Sequence, residues 1–337
     1  AAMALLPVVE QGLQVALMAP TEILAEQHFG RFTRWLEPLG VTVGFLTGSQ
    51  SNVERRPLLE NIATGDCQVV IGTHALFQED VEFAKLALLI VDEQHRFGVH
   101  QRLALREKGV HAGVFPHQLI MTATPIPRTL AMAAYADLDY SAIDELPPGR
   151  KPITTVLVSN TRRDEVVARV RANCESNHQA YWVCTLVEES EVLMCQAAEA
   201  VAQALHQSMP EIPIALVHGR MKSEEKERIM ACFKQGDIRL LVATTVVEVG
   251  VDVPNANLMI IDNAERLGLA QLHQLRGRVG RGDVASHGVL LYQSPLSEAA
   301  RSRLDVMRQT QDGFEIARHD LEIRGPGEVL GTRQAGM

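Results

Sequence analysis

The string Leu88-Leu89-Ile90-Val91-Asp92-Glu93-Gln94-His95 is an apolar run that ends in two adjacent carboxylates. A short apolar run of this kind reads as a buried strand. In an open parallel sheet the carboxyl ends of the strands face the crevice where ligands bind. Placed there, Asp92 could hold Mg²⁺ through water, and Glu93 could orient and deprotonate an attacking water. The same string also suits an acidic strand end beside a solvated loop. A second string, Gln271–Gly282 (QLHQLRGRVGRG), sets Arg278 and Arg281 among Gly277 and Gly280, four and seven residues after Gln274. Planar guanidinium groups stabilise the charge that builds on the oxygens of a transferred phosphoryl group. The glycines let a helix end lie close to a facing surface. The plainer reading is a basic helix face that binds phosphate or solvent.

Such groups need elements to hold them. In the first part of the chain, short apolar runs fall at Gln14–Ala19, Val41–Leu46, Gln68–Ile71, Leu86–Val91 and Gln118–Met121. Helical patterns lie between them at Glu22–Leu36 and Pro57–Ala63. This alternation predicts a parallel sheet covered by helices on both faces. It breaks at Leu146-Pro147-Pro148-Gly149-Arg150-Lys151-Pro152, which can continue neither a helix nor a central strand. It then restarts, with runs at Ile153–Val158, Ala180–Cys184, Ile214–Val217, Leu240–Ala243, Leu258–Ile261 and Val289–Tyr292. Helical patterns accompany them at Arg163–Cys174, Leu193–His206, Glu224–Phe233 and Ala270–Val279. From Ser297 the text is helix-rich, and Ser297–Gln311 and Gly313–Ile323 predict a helical hairpin before Arg324-Gly325-Pro326-Gly327 forces a loop. The expected organisation is an α/β domain over 1–146, a linker over 147–152, a second α/β domain over 153–296, and a hairpin with a loop over 297–337. No sequence repeat relates the halves.

Softer signals sit at other strand ends. Pro20-Thr21-Glu22 opens a helix with Thr21 as N-cap, and a capped helix start presents backbone N–H groups to phosphates. Gly72-Thr73-His74, Thr122-Ala123-Thr124 and His218-Gly219-Arg220-Met221 are strand-end loops, each readable singly as turn chemistry. Val242–Ala256 (VATTVVEVGVDVPNA) runs from an apolar strand through Thr244 and Thr245 to Gly250 and Asp252. The net charge of −9 argues against a general polyanion sponge, but a basic groove can sit on an acidic body. Five scattered cysteines without a CxxC pair suggest reduced thiols of a cytoplasmic protein and no zinc site. The apolar start is far shorter than the ~20 residues a bilayer requires, and no membrane association is expected.

Taken in order over Ala19–Gly282, these strings resemble motifs Ia, Ib, II, III, IV, V and VI of helicase superfamily 2, with Asp92–Glu93 as the Walker B pair. Asp92–Gly98 (DEQHRFG) and Thr122–Thr129 (TATPIPRT) resemble two related bacterial translocase families, RecG and the transcription-repair coupling factor. Asp320–Gln334 (DLEIRGPGEVLGTRQ) is similar to the translocation motif of the RecG family and favours it over the other. The resemblance implies two tandem RecA-like domains, the first truncated, with ATP and Mg²⁺ as cofactors. It implies catalytic roles for Asp92, Glu93, His95, Gln274, Arg278 and Arg281. Gly250 and Asp252 would join Asp92, Glu93, Arg278 and Arg281 around the nucleotide. Thr21, Thr73, His74, Thr122, Thr124, His218, Thr244, Thr245, Arg324, Arg333 and Gln334 would contact DNA or couple to its movement, with the Thr122 and Thr124 hydroxyls reaching His95. The implied partners are branched and duplex DNA, with a single-stranded-DNA-binding protein as a further candidate, and the implied state is a monomer.

The resemblance also implies a phosphate-cradling G-x-x-x-x-G-K-[ST] loop, and none occurs in these 337 residues. The expectation is therefore a piece of a longer ATPase, without the family's wedge domain and inactive alone. Its first sheet would have an exposed edge and lower stability than the second. The competing readings are the coupling-factor motor, a non-catalytic DNA-binding module that intact Asp92–Glu93 and Arg278…Arg281 oppose, and an RNA helicase, for which no motif reads a 2′-hydroxyl.

Overall fold

Strand-forming runs buried on both faces need helices above and below them, and the chain supplies these twice. The computed structural model describes residues 1–93, 115–122, 139, 141–143, 145, 151–185, 191–244, 253–282 and 284–324. The chain divides into two compact units, 1–123 with 334–337 and 124–333. The expected linker lies mostly outside the described residues.

In the first unit, β1 (Gln14–Met18) pairs with β3 (Val69–Gly72) and β4 (Leu86–Val91). β2 (Val43–Leu46) lies outside β3, and β5 (His117–Ile120) outside β4. All pairs are parallel, in the order β2-β3-β1-β4-β5. Alternation along β1 splits the core: Val15 and Leu17 face one layer with Leu5, Phe32 and Leu36, while Ala16 and Met18 face another with Ile62. The covering helices are α1 (Ala2–Glu10), α2 (Glu22–Leu36) and α3 (Asn52–Thr64). β5 is the outermost described strand on its side, and His117 and Gln118 on it are exposed.

Helix α3 begins five residues before the Pro57 start that the sequence suggests. The Glu54 carboxylate reaches back to Ser51, accepting from its backbone N–H at 2.9 Å and its hydroxyl at 2.8 Å. This capping outweighs the preference of Pro57 for a first turn.

The second unit holds β6 (Ile153–Ser159), β7 (Gln179–Cys184), β8 (Ile214–Val217), β9 (Leu240–Ala243), β10 (Ala256–Asp262) and β11 (Ser286–Tyr292), all parallel in the order β6-β11-β10-β7-β9-β8. Its helices are α4 (Arg163–Glu175), α5 (Glu191–Ser208), α6 (Ser223–Gln235) and α7 (Leu269–Arg276), followed by the hairpin α8 (Glu298–Gln309) and α9 (Gly313–Arg324). Trp182, fully buried, anchors one layer with Val170, Ala198 and Leu291. On the opposite face Tyr181 meets Phe233 edge-on at 5.0 Å.

Each sheet is fastened at its amino edge by a buried glutamine. Gln14 Nε2 donates to Ile62 O and Cys67 O, both at 2.9 Å, while its Oε1 accepts from Lys85 N at 2.9 Å. Gln179, at the start of β7, donates to Phe233 O and to Ile238 O. Buried amides persist only when satisfied in this way.

Candidate functional site

The parallel register brings the strand ends of the first unit to one level: Leu46, Gly72, Met18, Val91 and Ile120 lie in a row across the sheet. The chain leaves every strand at this edge, so Thr21, Thr73, His74, Asp92, Glu93 and Thr122 share it. Gly72 is required here, because a Cβ would stand 2.0 Å from Leu46 O. Thr21 is extended and caps α2, its hydroxyl accepting from Leu24 N at 3.4 Å. His74 and Thr122 are exposed, whereas Thr73 is 2% exposed and its hydroxyl has no partner among the described residues.

Asp92 is held on three sides. Its N–H donates to Met18 O at 2.9 Å, its Oδ1 accepts from Glu93 N at 2.9 Å, and its Oδ2 accepts from His28 Nε2 at 2.8 Å. Glu93 sits at φ +51, a left-handed conformation uncommon for a residue other than glycine. Such conformations persist where surrounding structure enforces them, often at functional sites. The pair therefore leaves the sheet by a sharp turn at its carboxyl end. His28 was not legible as a site residue: it lies inside a helix, 64 residues from its partner.

The donors here are hard carboxylate oxygens, and among the described residues no cluster of three His, Cys, Asp or Glu side chains could cage a metal. Hard carboxylate oxygens fit Mg²⁺, which is commonly held by one or two carboxylates together with substrate phosphates.

In the second unit, Val217, Ala243, Val183 and Ile261 lie in register, and His218, Thr244 and Asp262 follow at the carboxyl edge. Thr244 is 3% exposed, with its hydroxyl unpartnered among the described residues. His218 Nδ1 contacts Cys195 Sγ at 3.4 Å, and its Nε2 lies 3.8 Å from Glu199. Asp262 pairs with Arg163 at 2.7 Å, and that guanidinium stacks 4.9 Å from the Trp182 ring centroid. Burial, reinforced by the Asp262 charge, pushes the neighbouring Cys184 thiol up to about 12.

Gln274 is half-buried on α7, which ends at Arg276 rather than at Val279. Arg278 N bonds Leu275 O at 3.0 Å and Val279 N bonds Arg276 O at 3.4 Å, so the chain tightens into a turn. Arg278 (half-buried) and Arg281 (exposed) thus lie beyond the helix. Gly280 has φ +80, and a Cβ on Gly282 would meet Pro254 O at 2.4 Å. These glycines already have reasons within their own unit.

Arg276, in the same string, behaves differently. It is 2% exposed and donates to Met307 O at 2.7 Å, Thr310 O at 3.0 Å and Thr155 Oγ1 at 3.3 Å. Burial lowers its pKa to about 10. It bolts the Arg278–Arg281 turn to helix α8. His95, Thr124, Thr245, Gly250, Asp252, Arg333 and Gln334 lie outside the described residues, as does the side chain of Arg324.

Residues 1–133 match the DEAD/DEAH box helicase family, and residues 162–283 match the helicase conserved C-terminal domain. The ATP-dependent DNA helicase RecG of Escherichia coli O157:H7 is 66% identical over the whole chain, which covers 49% of that relative. That of Haemophilus influenzae is 65% identical, again with 49% of the relative covered. Over its whole length the chain is similar to RecG proteins. A solved RecG bound to a three-way DNA junction superposes with a TM-score of 0.79 and 43% identity, over 97% of this chain and 42% of that one. The chain thus spans about half the length of the curated RecG proteins it matches. Its two parallel sheets match tandem RecA-like helicase domains, and of the two translocase families the sequence resembles, the similarity falls to RecG.

Proposed function

We propose that this chain is the motor region of an ATP-dependent helicase that translocates on branched DNA. The observation that carries the reading is the Asp92–Glu93 pair, set at the carboxyl end of β4 with Glu93 turned to positive φ. Asp92, fixed through both carboxylate oxygens, is the Mg²⁺-holding group; bound Mg²⁺ supplies charge neutralisation on the β- and γ-phosphates. Glu93 orients the attacking water and takes its proton. Arg278 and Arg281 stabilise the charge developing on the transferred phosphoryl group. Since the 337 residues hold no G-x-x-x-x-G-K-[ST] string, hydrolysis requires a polypeptide that also supplies that loop.

DNA is assigned to the carboxyl edges. The capped start of α2 offers backbone N–H groups to phosphates; His74 and Thr122 lie at strand ends of the same unit, and His218 and Thr244 at strand ends of the second unit. Arg276 joins the arginine turn to α8 and so carries a change at the nucleotide to the hairpin. The solved relative on a three-way junction supports branched DNA as the substrate. The domain bounds 1–146, 147–152, 153–296 and 297–337 belong to this reading. Among the described residues no helix is long and apolar enough to cross a membrane.

The test is ATP hydrolysis by the full-length gene product with and without a forked duplex. Fork-stimulated hydrolysis that falls by about 10²–10⁴ in Glu93→Gln, with fork binding retained, is the expected result. Undiminished hydrolysis in Glu93→Gln would overturn the assignment.

A further inference from the structure

Helix α2 turns an apolar stripe toward its sheet through Ala25, Phe29, Phe32 and Leu36. His28 falls within the same stretch, where an aliphatic side chain would satisfy packing alone. Its ring lies edge-on to Phe32 at 6.2 Å, and its Nε2 is 2.8 Å from Asp92 Oδ2. Both polar side chains are largely shielded, at 17% and 20% exposure.

We propose that His28 is a positioning residue that fixes the Asp92 carboxylate for Mg²⁺ and ties that carboxylate to the nucleic-acid-facing start of α2. The metal and the ligand at Thr21 rest on the functional reading above; the contact itself does not.

A carboxylate offers about four lone-pair sites. Glu93 N–H takes one on Oδ1 and His28 takes one on Oδ2, so any rotation of the carboxylate breaks one bond or both. The remaining lone pairs therefore point in a fixed direction. Outer partners of metal-binding groups typically matter by 10–100-fold in metal affinity or activity. The helix supplies the second half of the argument. Thr21 and His28 are seven residues apart, roughly 10 Å along a continuous helix axis. The helix start is pinned further by Glu22 Oε1, which accepts from Ser49 N at 3.2 Å. A displacement at the capped end reaches Asp92 through a stiff rod and one hydrogen bond.

The experiment uses two variants of the full-length protein. His28→Phe keeps the ring against Phe32 and removes the donor; His28→Gln keeps a donor. Mn²⁺ binding is measured by electron paramagnetic resonance with a non-hydrolysed ATP analogue. The fork-stimulated to unstimulated ATPase ratio is measured at saturating metal. Thermal unfolding of each variant reports folding. We expect His28→Phe to weaken Mn²⁺ binding about 10-fold and to lower the stimulation ratio about 5-fold. We expect His28→Gln to restore most of both. Unchanged Mn²⁺ affinity in His28→Phe, equal losses in the two variants, or absence of Mn²⁺ binding by the wild type would overturn the inference. A wild type that binds Mn²⁺ in a His28-dependent way but shows no fork stimulation would overturn the DNA reading and leave the positioning of Asp92 standing.

Discussion

Replacing Arg276 with Met keeps an unbranched side chain against Gly288, whose Cβ would lie 3.5 Å from Arg276 Cγ, and removes the charge. Three N–H donors of a cation are lost: the two on Nη1, shared among Met307 O, Thr310 O and Thr155 Oγ1, and one on Nη2 facing His273 Nδ1 at 3.2 Å. At the low end for charged donors, about 1.5–2 kcal/mol each, their loss costs about 5 kcal/mol. Burying the cation is itself unfavourable. A pKa held at about 10 instead of 12.5 corresponds to about 3 kcal/mol at 1.36 kcal/mol per pKa unit. That penalty is present at every pH below about 10. It is relieved only between 10 and 12.5, where the folded state has shed a proton that the unfolded state keeps. Neutral solution therefore sees a net loss of about 2 kcal/mol. For a unit of this size, that is a fall of roughly 4–8 °C in unfolding temperature, to be measured by calorimetry. Hydrogen exchange should show lost protection in the last turn of α8, where Met307 and Thr310 lose their donor. A variant as stable as the wild type, or more so, would show that removing the buried charge outweighs the lost bonds.

Asp262→Ala strands the Arg163 guanidinium over Trp182. Because Arg163 is 29% exposed, the usual cost of breaking a buried pair shrinks to about 2 kcal/mol, readable by urea unfolding. Gly282→Ala drives a Cβ to within 2.4 Å of Pro254 O. Backbone must shift, at about 1–3 kcal/mol, and ATP hydrolysis in the full-length protein should fall with the displaced Arg281. The Glu54 carboxyl is lowered from its ordinary 4.5 by its bonds to Ser51. Its contribution is complete above pH 4.5 and is lost as pH falls through the lowered value. Amide exchange at the start of α3 should accelerate over that acid range in the wild type, less so in Ser51→Ala, which keeps the backbone donor, and not in Glu54→Ala.

Strand positions were legible because a strand buried on both faces must be a run such as Leu86–Val91, and two sets separated by Pro147-Pro148 could only be two sheets. Helix ends were less so. Pro57 looked like a start because a first turn tolerates proline, yet Ser51 and Glu54 closed the cap earlier; Val279 looked helical until Gly277 and Gly280 tightened the chain. The Asp92–Glu93 edge was visible in the sequence as a change from apolar to acidic. Its supports were not. His28 is 64 residues from Asp92, and Arg163 acts on a carboxylate on β10. Within LRGRVGRG, Arg276 looks like one more cation for phosphate. Only its burial under α8 separates a structural arginine from its two neighbours, since spacing along the chain carries no information about depth.

Gln14 and Gln179 share no surrounding sequence, yet each fastens the amino end of an inner strand to the close of the helix before the neighbouring strand. Each sheet is thereby a plank clamped at one end, with the strand-end groups such as Asp92 and Thr244 at the other; the Arg278–Arg281 turn instead lies by the amino ends of β6 and β11, where a Cβ on Gly280 would meet Ile153 and Ser286. The expected consequence is that the strand ends at Asp92 and Thr244 flex more on ligand binding than the ends held by Gln14 and Gln179. A fluorophore or crosslink placed near Lys85 or Ile238 would report on a stationary reference, against which movement at Asp92 or Thr244 can be measured.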